Sequence, residues 1–338
     1  IKSTLFVHCL KKSIIMKVFL FCTILAFSTI VKPEKLENEE NDDSSEDKSV
    51  FDRILAVNMK AGMTRSEVNQ RRIIQGDIVE TDLVKKMMAG GQSRGAATNV
   101  IQHLWPDFDG DGYREIPYEI NSAISSYTYN IQNAMNEWME KVPCLRFVRR
   151  TNQAGYLHFY SGAGCSSAVG RQGTIQYVSV NTNGCMYHGV IVHEIGHALG
   201  FWHEQSRLDR DSYVTINWNK IIPDMKFNFD KVYSSYVQDN IGYDYNSIMH
   251  YGPKAFTIDG SDTIVANNGQ SIGQRQGLST KDVQQAKQLY CQTTTGGNDC
   301  KNNDADCVSL ANQGFCTSTN DSYKQWMWIN CKKACRLC

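Results

Sequence analysis

The chain has 338 residues, which is enough for one large domain or for two smaller ones with separate cores. Its 35 basic and 35 acidic residues give a formal net charge of zero, which does not point to nucleic acid or an anionic membrane surface as a partner. We therefore expect no nucleic-acid partner and a function that depends on local chemistry.

The first residues have the pattern of a targeting sequence. Met16 and Lys17 precede the apolar run VFLFCTILAF, which is too short to span a bilayer. Ala26 and Ser28 supply the small residues of a signal-peptidase site. We predict that residues 1–28 are leader and signal peptide, with Met16 as the start, and that the protein is secreted, extracellular and without a membrane span.

The next segment has the composition of a propeptide, expected over residues 29–94. KLENEENDDSSEDKS at 35–49 is acidic and nearly free of apolar side chains, so it cannot join a packed core. GGQSRGAATN at 90–99 offers a flexible site where a trypsin-like activating protease could cut after Arg94. A plain surface loop at 90–99 would look similar.

DFDGDG at 107–112 begins like a calcium-binding loop, with aspartates at its first, third and fifth positions. The twelfth position is Tyr118 rather than a glutamate, and Pro117 would block the helix that follows such a loop. We expect a turn before the strand IPYEI, and calcium binding stays open.

Hydrophobic periodicity predicts one long helix and several strands. Apolar residues recur at three- and four-residue steps from Ile124 to Val142, and Pro143 ends the helix. Aromatic and β-branched residues predict strands at 145–148, 156–160 and 174–180. Ser279 and Asp282 resemble a capping box that opens a helix running to Tyr290. We expect an α+β fold without β-α-β alternation.

The cysteines of an exported chain are expected to form disulfide bonds. Two of the twelve lie in the leader, at 9 and 22, which leaves ten. Four are spread along the chain, and six crowd the last 39 residues. The four are Cys144, Cys165, Cys185 and Cys291; the six are Cys300, Cys307, Cys316, Cys331, Cys335 and Cys338. This change in density predicts two folding units, 95–292 and 300–338, joined by a linker at 293–299.

HEIGHALGFWHE at 193–204 has the spacing of a zinc site. On a helix, His193 and His197 share a face and can both bind one ion. A continuous helix would carry His203 about 15 Å beyond His193 along its axis. Gly200 can adopt the left-handed conformation that ends a helix, so the chain can turn back and bring His203 to the same ion.

Three neutral imidazoles leave a coordination position open, which is typical of a catalytic zinc. Glu194 can then act as the general base that takes a proton from the water that zinc activates. The alternative is an amphipathic helix with incidental histidines, because HExxH alone also occurs by chance. The added glycine and third histidine favour one zinc ion per catalytic domain.

These residues resemble the signature of the metzincin endopeptidases, and within them HEIGHALGFWHEQSRLDRD at 193–211 resembles the astacin family. SIMHYG at 247–252 is similar to the family's methionine turn. The resemblance covers residues 74–291 and implies two subdomains with a zinc cleft between them. It further implies that Met249 forms an apolar floor below the metal. Tyr251 would be a weak fifth ligand that swings to stabilise the tetrahedral intermediate.

The resemblance also implies two disulfides, Cys144 with Cys291 and Cys165 with Cys185. Four cysteines allow three pairings, so the sequence alone does not choose between them. Glu204 matches the family glutamate that holds the new N-terminus after maturation, and the alternative for this residue is a surface carboxylate.

IIQGDIVE at 74–81 resembles the family's propeptide FxGD segment, with Ile74 where phenylalanine is usual. By this resemblance Asp77 would take the place of the catalytic water at zinc in the precursor. A cut near Arg94 would release the segment and free an N-terminus at Gly95 or Ala96. The alternative is a turn with a solvated aspartate.

The tail at 300–338 resembles the ShK-toxin-like domain, which implies the pairs Cys300–Cys338, Cys307–Cys331 and Cys316–Cys335. Such a small fold depends on its cysteines for a core. Gln325-Trp326 stands where channel-blocking members carry Lys-Tyr, which weakens a toxin interpretation. Asn320 begins the sole N-glycosylation sequon.

We predict a secreted zinc endopeptidase of astacin type, made as a zymogen, with protein or peptide substrates. The alternative is a secreted binding protein that acts through its ShK-like tail and whose protease domain is inactive. Intact Glu194, the three histidines of the motif and Tyr251 argue against that alternative. Arg275 could favour an acidic residue just after the scissile bond.

Overall fold

The structure is a computed structural model. It describes residues 50–62, 67–68, 71–88, 103–107, 112–232, 241–274 and 276–291, and, in the tail, residues 302, 304, 306–318, 327, 331 and 333–335. The expected leader at 1–28, the acidic stretch at 35–49 and the linker at 293–299 lie outside the described residues.

The described residues form helices and strands in a mixed order, and the expected α+β class is confirmed. The helices are α1 (Val50–Lys60), α2 (Asp82–Met88), α3 (Thr128–Lys141), α4 (His188–Ala198), α5 (Thr280–Tyr290) and α6 (Cys307–Asn312). The strands are β1 (Glu67–Val68), β2 (Arg71–Ile74), β3 (Ile78–Val79), β4 (Arg114–Ile120), β5 (Leu145–Arg149), β6 (Tyr156–Tyr160), β7 (Cys165–Ser166), β8 (Ile175–Val180), β9 (Val214–Ile216) and β10 (Ile264–Ala266). In the described part, no helix is long and apolar enough to cross a bilayer.

The main sheet has five strands in the order β5, β4, β6, β8, β7. The first four run parallel to one another, and β7 is antiparallel to β8. Helix α3 connects β4 to the parallel strand β5, so these elements form one β-α-β crossover, and our expectation of none was wrong here. The reason is that β4 carries charged residues near both ends, whereas parallel strands usually appear as continuous apolar runs.

Helices α3 and α4 pack on each other and, with this sheet, enclose the larger core, which we call the upper core. Trp138 of α3 is fully buried, and its indole Nε1 donates to the backbone O of Val192 in α4 at 3.1 Å. This hydrogen bond fixes the register between the two helices. The upper core therefore packs against the face of α4 that is turned toward α3.

A second group of buried side chains forms what we call the lower core. Its members come mainly from short 3-10 helices, from β9 and β10, and from α1; among them are Phe51, Leu55, Ile221, Phe229, Tyr251 and Phe256. Regular structure is sparse here, since β9 and β10 have three residues each. Two cores with different architecture agree with the two subdomains that the resemblance implies.

Helix α5, near the C-terminal end of the 112–291 region, packs on the upper core through Ala286 and Tyr290. It begins with a capping box between Ser279 and Asp282, as its sequence predicts. At its other end the hydroxyl of Tyr290 donates to the backbone O of Leu199 at 2.7 Å. The next residue, Cys291, is joined to Cys144.

Residues 50–88 form elements of their own. Strands β1, β2 and β3 make a small antiparallel sheet between α1 and α2. Sequence periodicity did not reveal these elements, because each of the strands has only two to four residues.

Four disulfides lie among the described residues: Cys144–Cys291, Cys165–Cys185, Cys307–Cys331 and Cys316–Cys335. The expected pair Cys300–Cys338 lies outside them. In the tail, Met327 is buried in one cluster with the cysteines at 307 and 331. The sequon at Asn320 also lies outside the described residues.

The calcium-like segment is described only at its ends. Oδ2 of Asp107 accepts from the backbone N of Gly112 at 2.9 Å, as in a turn. Tyr118, at the twelfth loop position, is a buried residue of β4.

Candidate metal centre

Two of the predicted ligands lie on one face of helix α4. His193 and His197 are fully buried, and their ring centroids are 4.7 Å apart. Between them, Gly196 lets the helix approach the chain below it, because a Cβ at this position would lie 2.8 Å from Sδ of Met249. A larger residue at 196 would displace either the helix or the methionine.

The chain reverses direction directly after this helix. Gly200 has φ +101°, in the region that glycine adopts at little cost. The turn brings the backbone O of Phe201 to 2.8 Å from Nδ1 of His197. It also brings Nε2 of His203 to 3.3 Å from Nε2 of His193. The reversal therefore assembles the three histidines of the motif at one point.

A carboxylate from outside the motif joins the histidines. Oδ2 of Asp77 lies 3.1 Å from Nε2 of His193, and Oδ1 lies 3.5 Å and 3.4 Å from Nε2 of His197 and His203. Asp77 is fully buried. Burial alone would raise the pKa of Asp77, but the three histidines hold it well below its usual range, so the carboxylate is ionised.

The spacing of these four ligand atoms fits a tetrahedral zinc ion. Zinc binds nitrogen at about 2.0 to 2.1 Å and carboxylate oxygen at similar distances, which separates tetrahedral ligand atoms by roughly 3.3 to 3.4 Å. The observed separations between Asp77 and the histidines are 3.1 to 3.5 Å. The four residues form a group whose ligand atoms all lie within 4.8 Å of one another.

The protonation of the histidines fits a metal as well. Nδ1 of His193 and Nδ1 of His197 each donate to a backbone carbonyl at 2.8 Å. Nδ1 of His203 donates to Oε1 of Gln75 at 2.9 Å. Burial lowers the pKa of His203 to about 3, so this ring is neutral at physiological pH. A histidine whose Nδ1 donates in this way has Nε2 available for a metal, and the three Nε2 atoms lie at one point, which is how histidines present themselves to zinc.

Glu194 is buried next to the first of these histidines. Neither of its carboxylate oxygens has a hydrogen-bond partner among the described residues. Burial raises the pKa of Glu194 well above its usual range, and the charge of Asp77 adds to this effect. A divalent cation at the centre would act in the opposite direction. The carboxylate is thus an unused acceptor at the edge of the cluster.

The predicted methionine turn is fixed from below by helix α5. Ser247 Oγ donates to Oδ1 of Asp282 at 2.6 Å, and the backbone N of Ile248 donates to Oδ2 at 2.9 Å. Ser247 Oγ in turn accepts from the backbone N of Met249 at 3.0 Å. Asp282, which belongs to the capping box of α5, therefore sets the position of the buried Met249 under α4.

Tyr251 follows this turn and is fully buried. Its hydroxyl donates to the backbone O of Gln75 at 2.7 Å, and its ring lies 4.7 Å from that of His203. The ring of Phe51 stacks on it, with centroids 3.6 Å apart and an angle of 19° between the planes. In this arrangement residues 50–88 occupy both the hydroxyl and one face of the tyrosine.

The segment that carries Asp77 has an unusual backbone. Gln75 has φ +47° and Gly76 has φ +84°, so two consecutive residues are left-handed at the tip of the hairpin between β2 and β3. A Cβ at Gly76 would lie 2.9 Å from the ring of Phe51. The carbonyl of Asp77 accepts from the backbone N of Ser167 at 3.1 Å. The glycine thus allows the close approach that aims the aspartate at the histidines.

Glu204 is buried immediately after the third histidine of the motif. Burial raises its pKa to about 8, against the opposing effect of Arg207. Its Oε1 accepts from the backbone N of Asp244 at 2.7 Å and lies 3.5 Å from Nη1 of Arg207. A small depression beside it is lined by Gly242 and Lys281, among others. The location is a buried one, and the alternative of a surface carboxylate is wrong.

Several predicted residues lie outside the described part of the chain: Arg94, Gly95, Ala96 and Arg275. Other residues of the site were not anticipated, namely Phe51, Gln75 and Gly196. The last of these carried a usable signal, because glycine inside a helix costs about 1 kcal/mol relative to alanine and so suggests a close contact. Phe51 and Gln75 are far from the motif in sequence and carried none.

A family model described as Astacin, a family of peptidases, matches residues 99–291, and one described as ShK domain-like matches residues 299–338. High choriolytic enzyme 1 of Oryzias latipes is 47% identical over 184 residues, which are 53% of this chain and 67% of that protein. Zinc metalloproteinase nas-15 of Caenorhabditis elegans is 34% identical over 317 residues, which are 78% of this chain and 54% of that protein.

A solved structure is also similar. High choriolytic enzyme 1, described as a hatching enzyme zinc-protease from Oryzias latipes, aligns with a TM-score of 0.52 at 45% identity. The alignment covers 56% of this chain and 94% of that one. The chain spans between about half and two thirds of the length of the curated relatives named above.

Proposed function

Because the chain belongs to the astacin family of zinc metalloendopeptidases, we propose that it is a secreted endopeptidase, made as a latent precursor. It hydrolyses peptide bonds of proteins at one zinc ion held by His193, His197 and His203. The observation that carries this proposal is the convergence of three Nε2 atoms on the carboxylate of Asp77, at 3.1 to 3.5 Å.

In the proposed mechanism, bound zinc supplies a Lewis acid that lowers the pKa of a water molecule and polarises the scissile carbonyl. Glu194 has two free carboxylate oxygens, so it takes a proton from the attacking water and returns it to the leaving amine. Tyr251, once its hydroxyl is released from the carbonyl of Gln75, donates to the oxyanion that develops. Met249 supports the helix that carries the first two histidines.

We propose that residues 29–94 keep the precursor latent. We call their part between residues 50 and 88, which the structure describes at 50–62, 67–68 and 71–88, the prosegment. Asp77 occupies the place between the histidines where water must enter, and Gln75 holds the tyrosine hydroxyl. An activating trypsin-like protease then cuts after Arg94. The new N-terminal ammonium, at Gly95 or Ala96, pairs with Glu204, whose buried carboxylate in the precursor has the backbone N of Asp244 at 2.7 Å and Arg207 at 3.5 Å as partners.

We further propose the domain boundaries: a leader and signal peptide at 1–28, a peptidase domain at 95–292, a linker at 293–299 and an ShK-like domain at 300–338. The two family matches, at 99–291 and 299–338, support this division. In the tail, the two described disulfides support the proposed set of three, which is completed by Cys300–Cys338.

The test is Glu194→Gln in the enzyme freed of residues 29–94. The variant should retain one zinc ion, because the three histidines are untouched, and should lose roughly 10²- to 10⁴-fold in hydrolysis of a peptide library. Zinc content by atomic absorption and cleavage by mass spectrometry give the two readouts. Full activity of the zinc-loaded variant would refute the assigned base, and failure of the wild-type protein to bind zinc would refute the metal centre.

A further inference from the structure

Helix α1 of the prosegment lies across the boundary between the two cores. Phe51, Ile54, Leu55 and Asn58 occupy positions i, i+3, i+4 and i+7, so they share one face. All four are buried, with exposed fractions of 0%, 0%, 6% and 0%. Ile54 belongs to the upper core, whereas Phe51 and Leu55 belong to the lower core. The helix therefore occupies a groove formed by both halves of the peptidase domain.

Asn58, the polar residue of this face, has hydrogen-bond partners in the groove. Nδ2 of Asn58 donates to the backbone O of Cys165 at 2.7 Å, and Oδ1 accepts from the backbone N of the same residue at 2.7 Å. The amide thus satisfies both backbone groups of one residue in β7, as a neighbouring strand would. At the same place Val57 lies against Gly184, where a Cβ would be 2.4 Å from Cγ2 of the valine. The groove admits this helix because position 184 has no side chain.

Two further contacts hold the prosegment. The hairpin pairs with the strand edge through Ser167, whose backbone O accepts from the N of Val79 at 2.9 Å and whose N donates to the O of Asp77 at 3.1 Å. Helix α2 then packs Leu83 and Val84 into a cluster with Trp202 and Val232. The helix, the hairpin and α2 are joined by short connections. If one of them detaches from the peptidase domain, the other two keep it near its binding site, so it can bind again.

All of these contacts lie at residues 51–84, whereas the proposed activating cut falls after Arg94. None of the contacts depends on chain continuity past residue 88. We infer that the prosegment stays bound after the cut as a tight non-covalent inhibitor, and that full activity needs a second step that removes residues 50–88. This inference rests on the proposed function in taking Arg94 as the site of activation.

The groove that α1 occupies is thus an interaction surface whose partner is the cleaved prosegment. Three joined contacts with buried apolar side chains predict a dissociation constant below about 1 μM. After one cut the enzyme should be nearly inactive at micromolar concentration. Its activity per molecule should rise as dilution takes the complex below its dissociation constant.

The experiment uses the full chain with Glu194→Gln, so that the enzyme cannot digest itself, and with a recognition site for a specific protease in place of residues 91–97. After the cut, size-exclusion chromatography and native mass spectrometry at about 1 μM, the predicted upper limit of the dissociation constant, show whether the fragment that contains residues 50–88 travels with the remainder. We expect one complex. Separation of the two fragments at this concentration would overturn the inference.

Two variants of the same helix sharpen the test. Phe51→Ala removes the ring that stacks on Tyr251 and should weaken the cut complex about 100-fold. Met59→Ala changes a side chain that is 43% exposed on the same helix and should leave the affinity unchanged. Equal affinity of both variants would overturn the assignment of the groove. If Phe51→Ala does not fold, Asn58→Ala takes its place, because it removes the hydrogen bonds to Cys165.

The binding readout separates this inference from the proposed function. It is repeated with a chelator present, so it does not require zinc or hydrolysis. If the complex persists after the cut, but the chain with intact Glu194 shows no protease activity once freed of residues 29–94, the proposed function alone is refuted. A protease that loses its prosegment at once after the cut would refute the inference alone.

Discussion

Nδ1 of His203 donates to Oε1 of Gln75 at 2.9 Å. The acceptor that orients the ring of this proposed zinc ligand therefore belongs to the prosegment. The other two histidines donate to backbone carbonyls of the peptidase domain itself, those of Ile248 and Phe201. Removal of the prosegment takes Asp77 away from all three histidines, but it removes the Nδ1 hydrogen bond of His203 alone and leaves those of the other two.

Gln75→Leu in the uncut precursor should lower zinc affinity about 10- to 100-fold, because outer hydrogen-bond partners orient a histidine and raise its basicity. Gln75→Glu offers a carboxylate oxygen at the same place and should hold zinc at least as tightly as wild type. Competition with a chromophoric chelator measures both. Equal affinities of the leucine variant and the wild type would show that this hydrogen bond does not tune the site.

Asp77→Ala in the uncut precursor should raise basal proteolysis, because water gains access to the point where the three Nε2 atoms meet. The rise should stop short of the activity of the enzyme freed of residues 29–94, since Phe51 still covers Tyr251. A quenched fluorescent peptide reports the rates. A precursor with Arg94→Ala and intact Asp77 serves as the control and should remain latent. The carboxylate switch does not operate if the uncut wild-type chain is already as active as the chain beginning near Gly95.

Tyr251→Phe should lower kcat of the enzyme freed of residues 29–94 about 10²- to 10³-fold with little change in KM. The reason is that the hydroxyl is used mainly when the oxyanion develops. Steady-state kinetics on one peptide substrate separates the two constants. A loss confined to KM would assign the hydroxyl to substrate binding instead.

Glu137→Gln should destabilise the fold at neutral pH. Burial alone would raise the pKa of Glu137, but hydrogen bonds from His188, Lys141 and the backbone N of Leu278 lower it from 4.5 to about 2. A carboxylate with a depressed pKa contributes stability above its unfolded pKa of 4.5, and the contribution disappears as the pH falls through about 2.

The expected loss for this variant is about 2 kcal/mol at pH 7, typical of hydrogen bonds to a charged group. The difference from wild type should shrink below pH 4.5 and vanish near pH 2. Urea denaturation at several pH values measures it. Glu140→Gln, on an exposed position of the same helix, is the matched control. A pH-independent loss would show that shape rather than charge matters at position 137.

The parts of the fold that sequence predicts are those with local periodicity. Apolar side chains repeat every three or four positions from Ile124 to Val142, and the helix ends at Lys141, close to the predicted end. Its start differs, because a 3-10 helix at Ser122–Tyr127 precedes the α-helix, which begins at Thr128. Strands β5, β6 and β8 are rich in aromatic and β-branched residues, and their ends differ from expectation by one residue at most. By contrast, β7 has two residues, too few to show any period.

The residues of the site also differ in whether the sequence alone can relate them to one another. His193, His197 and Gly200 lie within eight positions, so helix geometry alone relates them. Asn58 and Cys165 are 107 positions apart, and Gln75 and Tyr251 are 176 apart. Contacts at such separations are decided by the packing of whole elements, and no local pattern in one sequence encodes them. That is why the resemblance pointed to Asp77 while the residues around it had to come from the structure.

The disulfide between Cys144 and Cys291 spans 147 positions of sequence and encloses helix α4, its turn and the methionine turn. An endopeptidase in solution meets copies of itself, and its own loops are potential substrates. One cut anywhere between these two cysteines would open the ring into a linear chain without detaching any piece. The fragments would remain tethered through sulfur, and loss of the histidines from one another would require a second cut or a reductant. The crosslink thus gives the enzyme tolerance to a first autolytic nick.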